Sequence, residues 1–236
     1  MAINVLIPAS RGISLALARK VFISTSSPLF LSHRNDFDVK DITADNQERI
    51  HLINVDVCDE ETIREAAYKL KDFLTAGKTV DNLIISPGIL TPERRLEEID
   101  YQNVLDSFKI NVIGPMFVLK HFGPLLSSTS KTTIFAARVG SVSENRLGGW
   151  FSYRSSKAAV FQLVKSANLY HQQKHRGICI GYHPGTVKTG LSKGFWESKG
   201  IMEPDEAAAH AWDVIRSRSK EHGGKVWDWK GVAIPP

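Results

Sequence analysis

Cysteine is scarce in this chain. Two stand in 236 residues, Cys58 and Cys179, far apart and outside any C-x-x-C pattern. That argues against a disulfide framework or a thiolate zinc site and points to a reducing, cytoplasmic setting. Long apolar runs are missing too. No stretch reaches the roughly 18 residues that a membrane span needs, so no membrane partner is expected. Pro8 and Arg11 interrupt the apolar start and leave no signal-peptide core. His33, His51 and His183 share no metal-ligand spacing, so no metal is expected. There is no repeat, low-complexity tract or interdomain linker. The net charge is +5, yet the 30 Lys and Arg are scattered rather than gathered in a run. A nucleic-acid binder normally shows a basic stripe, so no nucleic-acid partner is expected. A phosphorylated cofactor would also suit the excess.

What is present is ordinary globular composition, 42% hydrophobic and 23% charged. Its length suits one domain over residues 1–236. Short apolar runs alternate with longer helical patterns. Strands are expected at 3–7, 28–32, 50–55, 82–85, 132–137, 178–182 and 225–227. Helices are expected at 13–23, 60–74, 100–126 with an irregularity at Gly114-Pro115, 153–173 and 204–217. This order implies an α/β fold, a doubly wound, mostly parallel sheet of about seven strands. Such sheets bind ligands beyond the carboxyl ends of their strands.

Between the first strand and helix lies Pro8-Ala9-Ser10-Arg11-Gly12-Ile13-Ser14. A tight turn there would aim backbone N–H groups and a helix N-terminus at a phosphate pair. Only Gly12 remains of three expected glycines, so a plain strand-to-helix turn reads equally well. The second strand ends in Ser32-His33-Arg34. No acid stands there to hold ribose hydroxyls, and Arg34 suits a 2′-phosphate, hence NADPH rather than NADH.

Tyr-x-x-x-Lys occurs twice, as Tyr153/Lys157 and Tyr170/Lys174. The i,i+4 spacing puts each pair on one helix face. Tyr170 comes late in its helix and reads as packing. Tyr153 opens the helix after a strand and a loop, at the sheet edge where a ligand would lie. Reducing a ketone needs a hydride and a proton. A tyrosine titrates near 10, and a neighbouring ammonium favours its phenolate; a three-unit shift is about 4 kcal/mol.

These segments resemble the short-chain dehydrogenase/reductase family. Ala9-Ser10-Arg11-Gly12-Ile13 is similar to its A-S-R-G-I core. Asp56-Val57 resembles the D-V that contacts adenine, and Ser86-Pro87-Gly88-Ile89 the tail of N-N-A-G-I. Asn111-Val112 resembles the N-V of the long helix. Pro184-Gly185-Thr186-Val187-Lys188-Thr189 matches P-G-x-V-x-T. Gly148-Gly149-Trp150 and the ending Gly224-Lys225-Val226-Trp227-Asp228-Trp229-Lys230-Gly231 resemble the branch related to C-factor and sniffer-type carbonyl reductases. The resemblance spans essentially the whole chain. It implies that Lys157 also holds the nicotinamide ribose and that Asn111 supports a water relay to it. It implies that the backbone over Pro184, Gly185, Val187 and Thr189 holds the nicotinamide amide. Arg11 matches a basic position of NADPH-preferring members. A homodimer or homotetramer pairing helices near 100–126 and 153–173 is implied, with Val160, Leu163, Val164 and Ala167 as interface candidates; burial inside one subunit is the competing reading.

The chain departs from the family in places. Ile85-Ser86-Pro87 replaces the amides of N-N-A, and the serine column falls on Ala137, with Ala136 beside it. Ser141, twelve residues before Tyr153, is the expected replacement, ahead of Ser143; capping a turn is the competing reading. Trp150, Phe151, Phe195 and Trp196 flank the expected substrate cleft, with a substrate loop at about 190–203. A small apolar or aromatic carbonyl compound is the expected substrate. Three functions stay open: an NADPH-dependent carbonyl reductase, a non-redox isomerisation, dehydration or cyclisation in the same pocket, and a low-turnover nucleotide-binding protein.

Overall fold

Apolar residues alternate along the first strand, and the fold sorts them onto two faces. The computed structural model describes residues 2–35, 37–74, 78–197 and 200–236. In β1 (Ala2–Ile7), Ile3, Val5 and Ile7 enter one core cluster and Leu6 the other. The remaining strands are β2 (Leu29–His33), β3 (Ile50–Asn54), β4 (Thr79–Ile85), β5 (Leu126–Phe135), β6 (Ile178–His183), β7 (Val226–Asp228) and β8 (Ala233–Ile234). They form one sheet in the order β3-β2-β1-β4-β5-β6-β7-β8. All neighbours are parallel except β7 and β8. Burial on both faces makes the strands near-continuous apolar runs. Eight strands replace the expected seven, because the two-residue β8 is too short to leave a pattern.

The helices are α1 (Gly12–Ser24), α2 (Glu60–Phe73), α3 (Tyr101–Phe108), α4 (Gly114–Phe122), α5 (Phe151–Gln173) and α6 (Pro204–Ser217). Leu17 and Val21 of α1 and Trp212 and Ile215 of α6 share one core; Ile63 of α2, Val118 of α4 and Val160 and Val164 of α5 share the other. Among the described residues no helix is long and apolar enough to cross a membrane.

The helix expected over 100–126 is divided. A π-helical turn, Lys109–Ile113, separates α3 from α4, and a 3₁₀ turn follows at Gly123–Leu125. A Cβ on Gly114 would lie 2.7 Å from the Val57 carbonyl oxygen, so only glycine admits this approach of helix to β3–α2 loop. Strand order reverses between β1 and β4, and the turns after both strands face the crevice where such sheets take ligands.

Candidate active site

Two buried groups anchor the site, and α5 carries both. Tyr153 is 7% exposed and Lys157 3% exposed. The Lys157 Nζ lies 5.8 Å from the Tyr153 ring centre. Lys174 lies equally far from Tyr170, but Tyr170 is 50% exposed. Depth, not spacing, separates the two Tyr-x-x-x-Lys pairs. The Tyr153 hydroxyl has no hydrogen-bond partner among the described residues.

Lys157 Nζ donates to the Phe135 carbonyl at 2.9 Å, and this is its one partner among the described residues. An ammonium has three N–H donors, so two remain unspent in a buried place. A Cβ on Gly88 would sit 3.8 Å from that Nζ, 3.7 Å from Asn111 Oδ1 and 3.7 Å from Leu191 Cδ1. Burial lowers the Lys157 pKa to about 8. Burial also pushes the Tyr153 phenol up. The expectation that Lys157 would pull the phenol down is therefore corrected. Desolvation of the phenolate outweighs an ammonium stacked over the ring rather than bonded to the hydroxyl.

Asn111 stands on the π-helical turn. Its Oδ1 accepts from Ile89 N at 2.9 Å; its Nδ2 donates to Ile89 O at 3.1 Å and to Ser156 Oγ at 3.0 Å. Ser156 Oγ donates in turn to the Tyr153 carbonyl at 2.8 Å. The side chain thus ties the β4 turn to α5. π-Helical turns recur at functional sites because the extra residue re-aims side chains.

The turn after β1 has the features of an anion cradle. Gly12 takes φ +56°, and a Cβ there would lie 3.3 Å from Thr189 Cγ2. Arg11 gives α1 an extended N-cap with no side-chain bond, and no acid stands in the first helical turn. Among the described residues no side chain caps its first N–H groups, which with the dipole suit a phosphate. Ser14 Oγ and Ser86 Oγ are 2.8 Å apart, and Ser86 Oγ donates to the Pro8 carbonyl at 3.3 Å. Hydroxyls therefore brace this turn where amides were missing, a pairing that sequence reasoning did not find.

Arg34 lies 3.9 Å from Asp56, with its side chain 59% exposed. Asp56 Oδ1 accepts from Cys58 N, and Val57 lies under Gly114. Gly185 takes φ +77°. Val187 bridges to Met202, and Thr189 and Ser192 form a capping box at the start of a 3₁₀ turn, Gly190–Phe195. Of the substrate loop expected at 190–203, residues 198 and 199 lie outside the described residues. Trp150 packs 6.2 Å from Tyr153 and 5.2 Å from Phe195, ring centre to ring centre. Trp196 instead donates to the Thr189 carbonyl at 3.2 Å.

Ala136 and Ala137 are both buried at the end of β5. Ser141 Oγ accepts from Glu144 N at 3.2 Å, a turn cap that leaves its own proton without an acceptor among the described residues. Ser143 Oγ donates to the Pro236 carbonyl and is exposed. Val160, Val164 and Ala167 are buried inside the subunit, which corrects their reading as interface residues; Leu163 also packs against that core.

A nicotinamide dinucleotide fits these residues: an uncapped helix start, a left-handed glycine under Thr189, and a buried ammonium with unspent donors facing Gly88.

A family model described as short chain dehydrogenase matches residues 3–200. The chain is 30% identical over 181 residues to 1-hydroxy-2-glutathionyl-2-methyl-3-butene dehydrogenase of Rhodococcus sp. strain AD45, covering 76% of this chain and 77% of that protein. It is 28% identical to C-signal of Myxococcus xanthus, over 66% of this chain and 92% of that one. The fold matches an NADPH-bound carbonyl reductase from chicken fatty liver, with TM-score 0.86, 23% identity and coverage of 100% and 98%. It also matches the carbonyl reductase Sniffer of D. melanogaster, with TM-score 0.88, 21% identity and the same coverage.

Proposed function

The chain belongs to the short-chain dehydrogenase/reductase family, and we propose that it is an NADPH-dependent reductase of small apolar carbonyl compounds. The observation that carries this reading is the buried Lys157 ammonium, one helical turn from a Tyr153 hydroxyl, with two ammonium donors and that hydroxyl unpartnered among the described residues. In this reading Ser10, Arg11, Gly12 and Ile13 hold the pyrophosphate turn, Arg34 and Arg11 the 2′-phosphate, and Asp56 and Val57 the adenine side. Gly88 and Lys157 face the nicotinamide ribose, and Pro184, Gly185, Val187 and Thr189 the nicotinamide amide. When bound, the dinucleotide supplies the hydride.

Tyr153 donates its proton to the carbonyl oxygen as negative charge gathers there. The phenolate left behind is costly in a buried place. The Lys157 ammonium, one helical turn away, is the charge placed to offset part of that cost. Asn111 keeps the β4 turn and α5 in register, and a water relay to Lys157 would pass beside it. Ser141 is the hydroxyl offered to the carbonyl oxygen in place of the missing serine. Trp150 and Phe195 give the substrate an apolar wall. Tyr101, Leu105, Ile113 and Met116 are exposed apolar residues of α3, the π-helical turn and α4, and this reading assigns them to contact between copies of the chain. The alanines at 136 and 137 favour the alternative, a non-redox step on the same scaffold.

The test is NADPH oxidation against a panel of aromatic and aliphatic carbonyl compounds, repeated across pH. Lys157 is an ammonium below about pH 8 and neutral above it. The kcat/KM for NADPH, which reports the free enzyme, should be level below that value. It should fall above it with a logarithmic slope of about one, as for a single proton. No turnover with any carbonyl compound, or a level profile through pH 10 (on the order of two units past the transition), would contradict the reading.

A further inference from the structure

The helix that bears Tyr153 has no cap of its own. Its N-cap residue is Trp150, in the left-handed region at φ +50°, with no side-chain hydrogen bond. Gly148 and Gly149 precede it at φ +62° and +63°. Three left-handed residues in a row are strained at the tryptophan, where a side chain meets its own backbone. Something outside this segment must hold it.

Glu93, from the loop after β4, does so. Its carboxylate is 1% exposed and has no cationic partner among the described residues. Ser152 N donates to Oε2 at 2.9 Å, and Ser152 Oγ donates to Oε1. The Glu93 carbonyl accepts from Trp150 N. A Cβ on Gly149 would lie 3.2 Å from that same carbonyl oxygen. One residue thus grips positions 150 and 152, immediately before Tyr153, and passes close to Gly149. A buried carboxylate is tolerated here because it accepts from the free donors and positive dipole end of α5.

We propose that Glu93 is a positioning residue, capping the Tyr153 helix from 59 residues away in sequence and thereby fixing Trp150 as the wall that selects flat aromatic carbonyl compounds. The selection rests on the reductase reading; the clasp itself does not.

The experiment uses the full chain. Glu93→Ala and Glu93→Gln are compared with the unaltered protein by acrylamide quenching of Trp150 fluorescence. That signal is the difference between each protein and its Trp150→Phe counterpart. NADPH affinity and kcat/KM for an aromatic and an aliphatic carbonyl compound are measured alongside. In Glu93→Ala, Trp150 becomes open to quencher and NADPH affinity is unchanged. Its kcat/KM for the aromatic compound drops about 10²-fold, the effect of roughly an ångström of misplacement, and drops less for the aliphatic one. Glu93→Gln, which can accept only one of the two Ser152 bonds, falls between. Unchanged quenching, or equal loss on both compounds, overturns the proposal. Should Glu93→Ala fail to fold, Glu93→Gln supplies the same readouts. If the unaltered protein reduces no carbonyl compound, the reductase reading fails alone, and quenching still decides the clasp.

Discussion

Tyr153→Phe should lower carbonyl reduction by about 10²–10⁴-fold, the range for loss of a general acid, with NADPH affinity nearly unchanged. The phenyl ring keeps the packing against Trp150, so the fold should tolerate the change. Only the hydroxyl is lost, and among the described residues it has no partner to leave unsatisfied. Ser141→Ala and Ser143→Ala measured beside it locate the second donor. A donor to a developing oxyanion is worth about 2.7–4 kcal/mol when ideally placed. Ser141 has a free proton but is tied to Glu144 N, so a smaller, partial loss is expected. Ser143 binds the Pro236 carbonyl, and little change is expected. Full activity of both serine variants beside a dead Tyr153→Phe would mean that no serine has been recruited. Full activity of all three would defeat the reductase reading.

Arg34→Asp should invert or erase the preference for NADPH over NADH. A charge-assisted hydrogen bond contributes roughly 1.5–3 kcal/mol, or about 10- to 150-fold in affinity. The new carboxylate would also stand near Asp56, now 3.9 Å from the guanidinium, and repel a 2′-phosphate. Fluorescence titration with each dinucleotide reads this without turnover. Equal affinity of the unaltered protein for both would contradict the assignment of Arg34.

Much of this architecture was legible because period and punctuation agreed. Pro204 and Asp205 mark the start of α6, and its expected bounds, 204–217, are those observed. Asp59 caps α2 where the acidic run predicted an entry. Other features leave less of a local trace. Gly114-Pro115 marked an irregularity in the long helix, but not that it would be a π-helical turn over Lys109–Ile113, nor that Gly114 would pack against Val57. The polar start of β5, Ser127 to Lys131, hid its first half, so the expected strand began six residues late. Val160, Val164 and Ala167 are too apolar for a wet helix face, which leaves a subunit contact and the subunit's own core both open, and α5 buries them in that core. Spacing predicted the Tyr153–Lys157 pair, but burial, a tertiary property, sets the direction of both pKa shifts. Glu93 in Thr91-Pro92-Glu93-Arg94 belongs to no motif or period, and only the folded chain reveals its grip on Ser152.

The most direct measurement follows NADPH absorbance and product mass together in one reaction of the unaltered protein with a carbonyl substrate. Each product molecule should have gained two hydrogens, with NADPH consumed in equal amount. A product of unchanged mass formed while NADPH stays intact would contradict carbonyl reduction at Tyr153 and leave a non-redox step on the same scaffold.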